Sequence, residues 1–272
     1  MNSRTLAGSV ALLGAVLLGA TLSAPSAQAD HAGAEPGPVH AGKSWGWWQA
    51  AGGIVWREEF EQPYSGPTRP QWRSAGAGEV VHQNGMLTLN ATGQGSLSAT
   101  LERPGAEVGR WETRLRSRRY GGGGADFRVL TELVPAGDAE QRCGARNIAL
   151  ESYRIGSRKV RLYARNTPDV AFRGARPGMD LGRDRWHTYA VEVTRERISW
   201  FVDAHVVRTE RRPEVWSGVP LTVRFTMQAK PGRPMNQSRM QMDWVRHWSL
   251  QAPNDLPVAA PEMRLGRYGK AC

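Results

Sequence analysis

Cysteine is scarce in this chain: among 272 residues only Cys143 and Cys272 carry thiols. A disulfide-dense scaffold is therefore excluded, and a zinc site finds little support, because neither cysteine has a C-x-x-C companion. His82, His187, His205 and His247 also lack the i, i+4 spacing of a zinc pair. Long hydrophobic runs are missing beyond residue 22. The run before it, from residue 6, falls short of the roughly 20 residues of a spanning helix, so no membrane span is expected. A long amphipathic helix is missing too. There is no finger spacing and no K/R-G-F-G-F strand, and the arginines are dispersed, so no nucleic acid is expected as a partner. The glycine run 121–124 lacks the strand-then-helix setting of a phosphate loop and reads as a flexible loop.

What is present begins with an address. Arg4, an apolar stretch, and Ala27, Gln28 and Ala29 before Asp30 form the three regions of a secretory leader, so residues 1–29 are expected to be a signal peptide and the protein to be secreted. The formal charge is +11; losing the leader removes one positive charge, Arg4, and leaves +10. A balance so basic suits an acidic polysaccharide or an anionic surface, and equally a compositional habit of solvated arginines. In an oxidising compartment Cys143 and Cys272 can form a bridge that closes a long loop; two free thiols are the alternative.

Residues 30–53 are rich in Gly, Ala, Pro and His and read as a linker, with Trp45, Trp47 and Trp48 as its anchors. From 54 to 250 the chain alternates in short runs. Residues 86–89, 111–116, 126–134, 160–164, 189–193, 198–202, 221–227 and 240–248 all fit strands. That pattern predicts an all-β, two-sheet jelly roll in one domain. The tail, 251–272, is Pro-punctuated and is expected to wrap the surface.

Four motifs carry a resemblance. Trp56, Arg57, Glu58, Glu59 and Phe60 resemble the opening strand of the family-16 glycoside hydrolases, and residues 109–114 are similar to their G-x-[WFY]-E-x-R strand. The run W-H-T-Y-A-V-E from Trp186, followed by I-S-W-F-V-D from Ile198, resembles a further pair of family strands, and residues 242–246 the closing one. The resemblance covers 54–250 and implies a concanavalin A-like jelly-roll sandwich that works on polysaccharide.

In that family one strand carries E-x-D-x-E, or a bulged E-x-D-x-x-E, as nucleophile, helper aspartate and general acid/base. The strand period of two puts the three on one face. The resemblance sets Asn147 in the nucleophile position, Ala149 in the helper position and Glu151 in the acid/base position; a bulged reading ending on Glu151 moves the first two to Arg146 and Ile148. Neither supplies a nucleophile. Glu151 is either a surviving catalytic acid or a carboxylate paired with one of the many arginines.

The preceding family strand ends W-L-L-P. Glu132, Leu133, Val134 and Pro135 resemble it with Glu in the Trp position, and alternation puts Arg128 and Glu132 on one face. Glu132 is thus the expected replacement partner for Glu151. Arg161, Tyr163 and Arg165 share a face at period two; if it is the concave one they suit carboxylate or sulfate groups, and if not they are solvated. The resemblance also implies a structural calcium with Asp243 and the backbone near Glu58 as candidates; no other cofactor is expected. Two functions follow: a monomeric, lectin-like carbohydrate-binding protein whose polysaccharide partner is acidic or neutral, or a divergent glycosidase using Glu151 and Glu132.

Overall fold

The computed structural model describes residues 39–49, 53–61, 66–67, 71–137, 144–166 and 169–269. The leader, Cys143 and Cys272 lie outside them. In chain order the strands are β1 (Ile54–Glu58), β2 (Gly66–Pro67), β3 (Trp72–Gly76), β4 (Gly78–Gln83), β5 (Met86–Ala91), β6 (Leu97–Leu101), β7 (Gly109–Arg119), β8 (Arg128–Pro135) and β9 (Ile148–Arg154). They continue as β10 (Lys159–Asn166), β11 (Val170–Pro177), β12 (His187–Val193), β13 (Ile198–Val202), β14 (His205–Glu210), β15 (Leu221–Gln228), β16 (Ser238–Trp248) and β17 (Arg264–Arg267).

Two antiparallel sheets face each other. The first runs β14-β13-β12-β7-β16-β5-β4-β2, with β1 also paired to β16; the second runs β17-β11-β10-β9-β8-β15-β6-β3. The chain is the all-β jelly roll that its alternation predicts. The reason is visible in β10, where Val160, Leu162 and Ala164 are buried while the residues between them are not. Trp111, Tyr189 and Trp200 from the first sheet meet Phe172 and Phe225 from the second, and Phe127 just before β8, in one core. Each such side chain removed from water contributes about 1.5–3 kcal/mol.

Two boundaries differ from the sequence reading. Residues 39–49 are packed rather than a loose linker: α1 (Ala41–Ser44) lies there, and Trp45 and Trp47 join Phe201, Trp248 and Val258 in a second cluster on the outer face of the first sheet. Glu112, fully buried beneath α1, accepts hydrogen bonds from the Ala41 and Gly42 amides. The tail does more than wrap, because β17 pairs with β11 and extends the second sheet. Among the described residues no helix is long and apolar enough to cross a membrane.

Candidate functional site

The outer face of the second sheet is concave and holds a cleft of about 880 Å³. Residues directly across an antiparallel pair point to the same side, so the strand registers define its floor as rows. One row reads Arg173, Tyr163, Ala149, Glu132 and Arg224 across β11, β10, β9, β8 and β15. The next reads Arg161, Ser152, Leu130, Thr226 and Ser98, from β10 to β6. Arg154, Arg128 and Gln228 follow in a third.

In the first row Ala149 leaves a gap, and a hydrogen-bond network fills it. Glu132 Oε1 accepts from the Tyr163 hydroxyl at 2.6 Å and from Asn147 Nδ2 at 2.8 Å, while Oε2 accepts from an Arg224 guanidinium nitrogen at 2.7 Å. Burial opposes a charge on Glu132, but the Arg224 charge and these donors outweigh it and hold its pKa below the usual carboxylate range. Burial and the neighbouring Glu132 push the Tyr163 phenol well above its ordinary value, so the proton stays on tyrosine.

The structure brings Arg128, Glu132, Asn147, Arg161, Tyr163 and Arg165 together in this cleft. Glu151 is not among them. It lies across from Thr131, whose flanking residues Val129 and Leu133 belong to the core, and is itself fully buried between the sheets. No hydrogen bond of ordinary geometry reaches either carboxyl oxygen; the Thr131 hydroxyl and backbone are the polar groups beside it. Burial holds its pKa well above the carboxylate range and so favours the protonated form; Glu151 is an interior acid, neither a cleft acid nor an arginine's surface partner.

The physical cause is a β-bulge. Ala149 pairs with Glu132, yet Glu151 pairs with Thr131, so Leu150 is the extra residue and every later side chain changes face. The carbonyl of Ala149, freed from regular pairing there, accepts the Trp200 indole N–H at 3.0 Å. With the bulge in place, the family spacing E-x-D-x-x-E falls on Asn147, Ala149 and Ser152, and neither reading that ended on Glu151 describes the strand. The expected Glu132 and Glu151 pair is on opposite faces and is ruled out.

Among the described residues five arginines line the cleft, Arg128, Arg161, Arg165, Arg173 and Arg224, against the single carboxylate Glu132. Of the five, only Arg224 is ion-paired to a carboxylate among the described residues. Arg165 stacks on Tyr163 and on Tyr268 of the tail, with ring distances of 4.3 and 5.2 Å. Arg173, Arg224 and Ser152 were missed by sequence reasoning. Alternation in β15, with Val223 and Phe225 buried on one side, was the signal for Arg224.

The two acidic residues named with the calcium expectation have partners of their own. Asp243 accepts a hydrogen bond from Arg114 at 2.7 Å, and Glu58 is engaged by Arg103 at 2.9 Å. Among the described residues no group of three or more His, Cys, Asp or Glu side chains is placed to hold a metal ion.

No family profile matches the sequence, and no curated protein matches it. Solved structures do match in fold. The laminarinase from Rhodothermus marinus is 18% identical, aligned over 72% of this chain and 97% of its own, with a TM-score of 0.56. The catalytic domain of an endo-1,3-β-glucanase (laminarinase) from Thermotoga petrophila is 15% identical over 73% and 98%, with a TM-score of 0.59. A non-specific endo-β-1,3(4)-glucanase from family GH16 is 14% identical over 72% and 94%, with a TM-score of 0.57. This chain thus has the concanavalin A-like jelly roll of the family-16 laminarinases and glucanases.

Proposed function

We propose that the chain is a secreted polysaccharide-binding protein in which the concave cleft takes an acidic glycan and the family's hydrolysis is lost. The observation that carries this is the charge of the floor: four arginines without a carboxylate partner among the described residues surround one buried, neutralised glutamate. Guanidinium groups held in a cleft raise the local concentration of an anionic polymer and bind its charged substituents through paired donors. Hydrolysis with retention needs two carboxylates about 5 Å apart, and inversion needs two at a wider spacing. Glu132 is the only carboxylate lining the cleft among the described residues, and its bonds to Arg224, Tyr163 and Asn147 keep it from serving as a proton donor. A glycan array read together with product analysis tests the proposal. Acidic glycans should be retained in preference to neutral ones and recovered at their original length. Shortened chains would overturn the binding reading in favour of catalysis.

A further inference from the structure

The three rows of the floor are not equivalent. The row through Ala149 is closed by the Glu132 network, whereas Ser152 has Arg161 across from it on one side, Leu130 on the other, and Arg128 bonded to its hydroxyl. We propose that Arg128, Ser152 and Arg161 form a subsite for a tetrahedral oxyanion ester, a sulfate or phosphate group carried by the bound glycan. The inference rests on the acidic-glycan reading of the cleft and names the chemistry of one substituent.

The three residues come from adjacent strands, β8, β9 and β10, with Ser152 directly across from Arg161. Arg128 donates to the Ser152 hydroxyl oxygen at 3.2 Å, which leaves the hydroxyl proton to point elsewhere, into the cleft. Neither arginine has a carboxylate partner among the described residues. They also repel each other. Burial, and after it the charges of Arg161 and Arg154, hold the Arg128 guanidinium below its ordinary pKa. Arg128 is half-buried while Arg161 and Arg154 beside it are exposed, so the cost of gathering these like charges falls on Arg128, and an anion seated between the groups reduces it.

Geometry then selects among anions. A carboxylate presents two oxygens in one plane and is satisfied by a single guanidinium fork. Here two forks on either side of a hydroxyl supply donors from three directions, which matches the three terminal oxygens of an ester sulfate or phosphate. Beside them the floor is Leu130, across from Ser152 on β8. Glu132 stands two residues further along that strand, and its charge is offset by the ion pair with Arg224 at 2.7 Å. Serine at this place matters as well. A carboxylate in the same position would repel the anion that the arginines attract.

The test uses one polymer backbone with four decorations: sulfated, phosphorylated and carboxymethylated dextran at matched charge density, and neutral dextran. Affinities are measured for the wild type, Arg128→Met, Arg161→Met and Ser152→Ala, with thermal melting to establish that each is folded. Arg183→Met, at an exposed site outside the cleft, controls for net charge. The wild type should prefer a sulfated or phosphorylated polymer over the carboxymethylated one by about ten-fold, the worth of a charge-assisted hydrogen bond. Each subsite variant should reduce that preference, and Arg183→Met should keep it. The better of the two ester polymers identifies the source of the oxyanion. Equal affinity for carboxymethyl and ester polymers would overturn the tetrahedral subsite and leave the acidic-glycan reading standing, as would binding to none of the charged dextrans when the glycan array finds an acidic ligand. Equal affinity for neutral dextran would overturn both.

Discussion

The Tyr163 hydroxyl donates to Glu132 Oε1 at 2.6 Å, across the position where Ala149 supplies no side chain to separate them. The phenol and Ala149 are coupled: alanine at this place makes room for the phenol to reach a carboxylate on the next strand but one. The space over Ala149 is therefore filled by a hydrogen-bonded network rather than left as a hole. Tyr163→Phe should cost about 1 kcal/mol and Glu132→Gln about 3 kcal/mol, since the latter breaks a buried ion pair. Ala149→Asp should destabilise as well, by setting a second carboxylate against Glu132. Chemical denaturation of the three variants measures this, and an Ala149→Asp protein as stable as the wild type would contradict the coupling.

Glu151 gives a prediction with a definite sign. Its folded pKa lies well above the model carboxylate value because of burial, so the folded state holds a proton that the unfolded state releases first. The stability it contributes is fully present below the unfolded pKa, near 4.5, and is lost as pH rises toward the folded value. Glu151→Gln cannot titrate. Its melting temperature should stay close to that of the wild type at acid pH and exceed it above neutrality. A constant difference between the two proteins across the pH range would show that Glu151 is ionised in the fold.

Glu112 sets a second, narrower window. Burial, resisted by the Gly42 and Ala41 amides, raises its pKa from 4.5 to about 7. Stability should accordingly fall between those values and level off above about 7. The loss should be felt first where α1 is docked on the sheet. Hydrogen exchange of the Ala41 and Gly42 amides, corrected for the intrinsic pH dependence, should report more frequent opening at pH 8 than at pH 5. Equal opening at both would remove Glu112 as the cause.

The outlines of the fold were legible because alternation is a local signal. All eight strands expected from the sequence are present, with Arg128 and Glu132 on one face of β8 and Arg161, Tyr163 and Arg165 on one face of β10. What escaped was the face of Glu151. Alternation assumes an unbroken period of two, and the bulge at Leu150 breaks it without a glycine or proline to mark the place. The Ala149 carbonyl beside the bulge accepts from Trp200, far along the chain, a contact that the strand's own sequence does not announce. The packing of Trp45 and Trp47 escaped for a similar reason: their partners, Phe201 and Trp248, lie at the other end of the sequence.

The two cysteines lie outside the described residues, yet their neighbours meet: the Tyr268 hydroxyl donates to the Ala145 carbonyl at 3.3 Å. We expect the protein, if exported to an oxidising compartment, to show no free thiol in titration under denaturing, non-reducing conditions. Reduction should then lower its stability by up to about 4–5 kcal/mol, the chain-entropy value for a loop of this order. Two titratable thiols would contradict the bridge.

The central claim is that the cleft holds an acidic glycan by charge and leaves it intact. Its most direct measurement is the affinity for an acidic polysaccharide, followed across a salt series for the wild type and for Arg161→Ala/Arg165→Ala. Screening acts over about 8 Å at physiological ionic strength, so the wild-type affinity should fall steeply with salt while the double variant starts weaker and responds less. Binding that ignores salt, or that the double variant retains in full, would contradict the account.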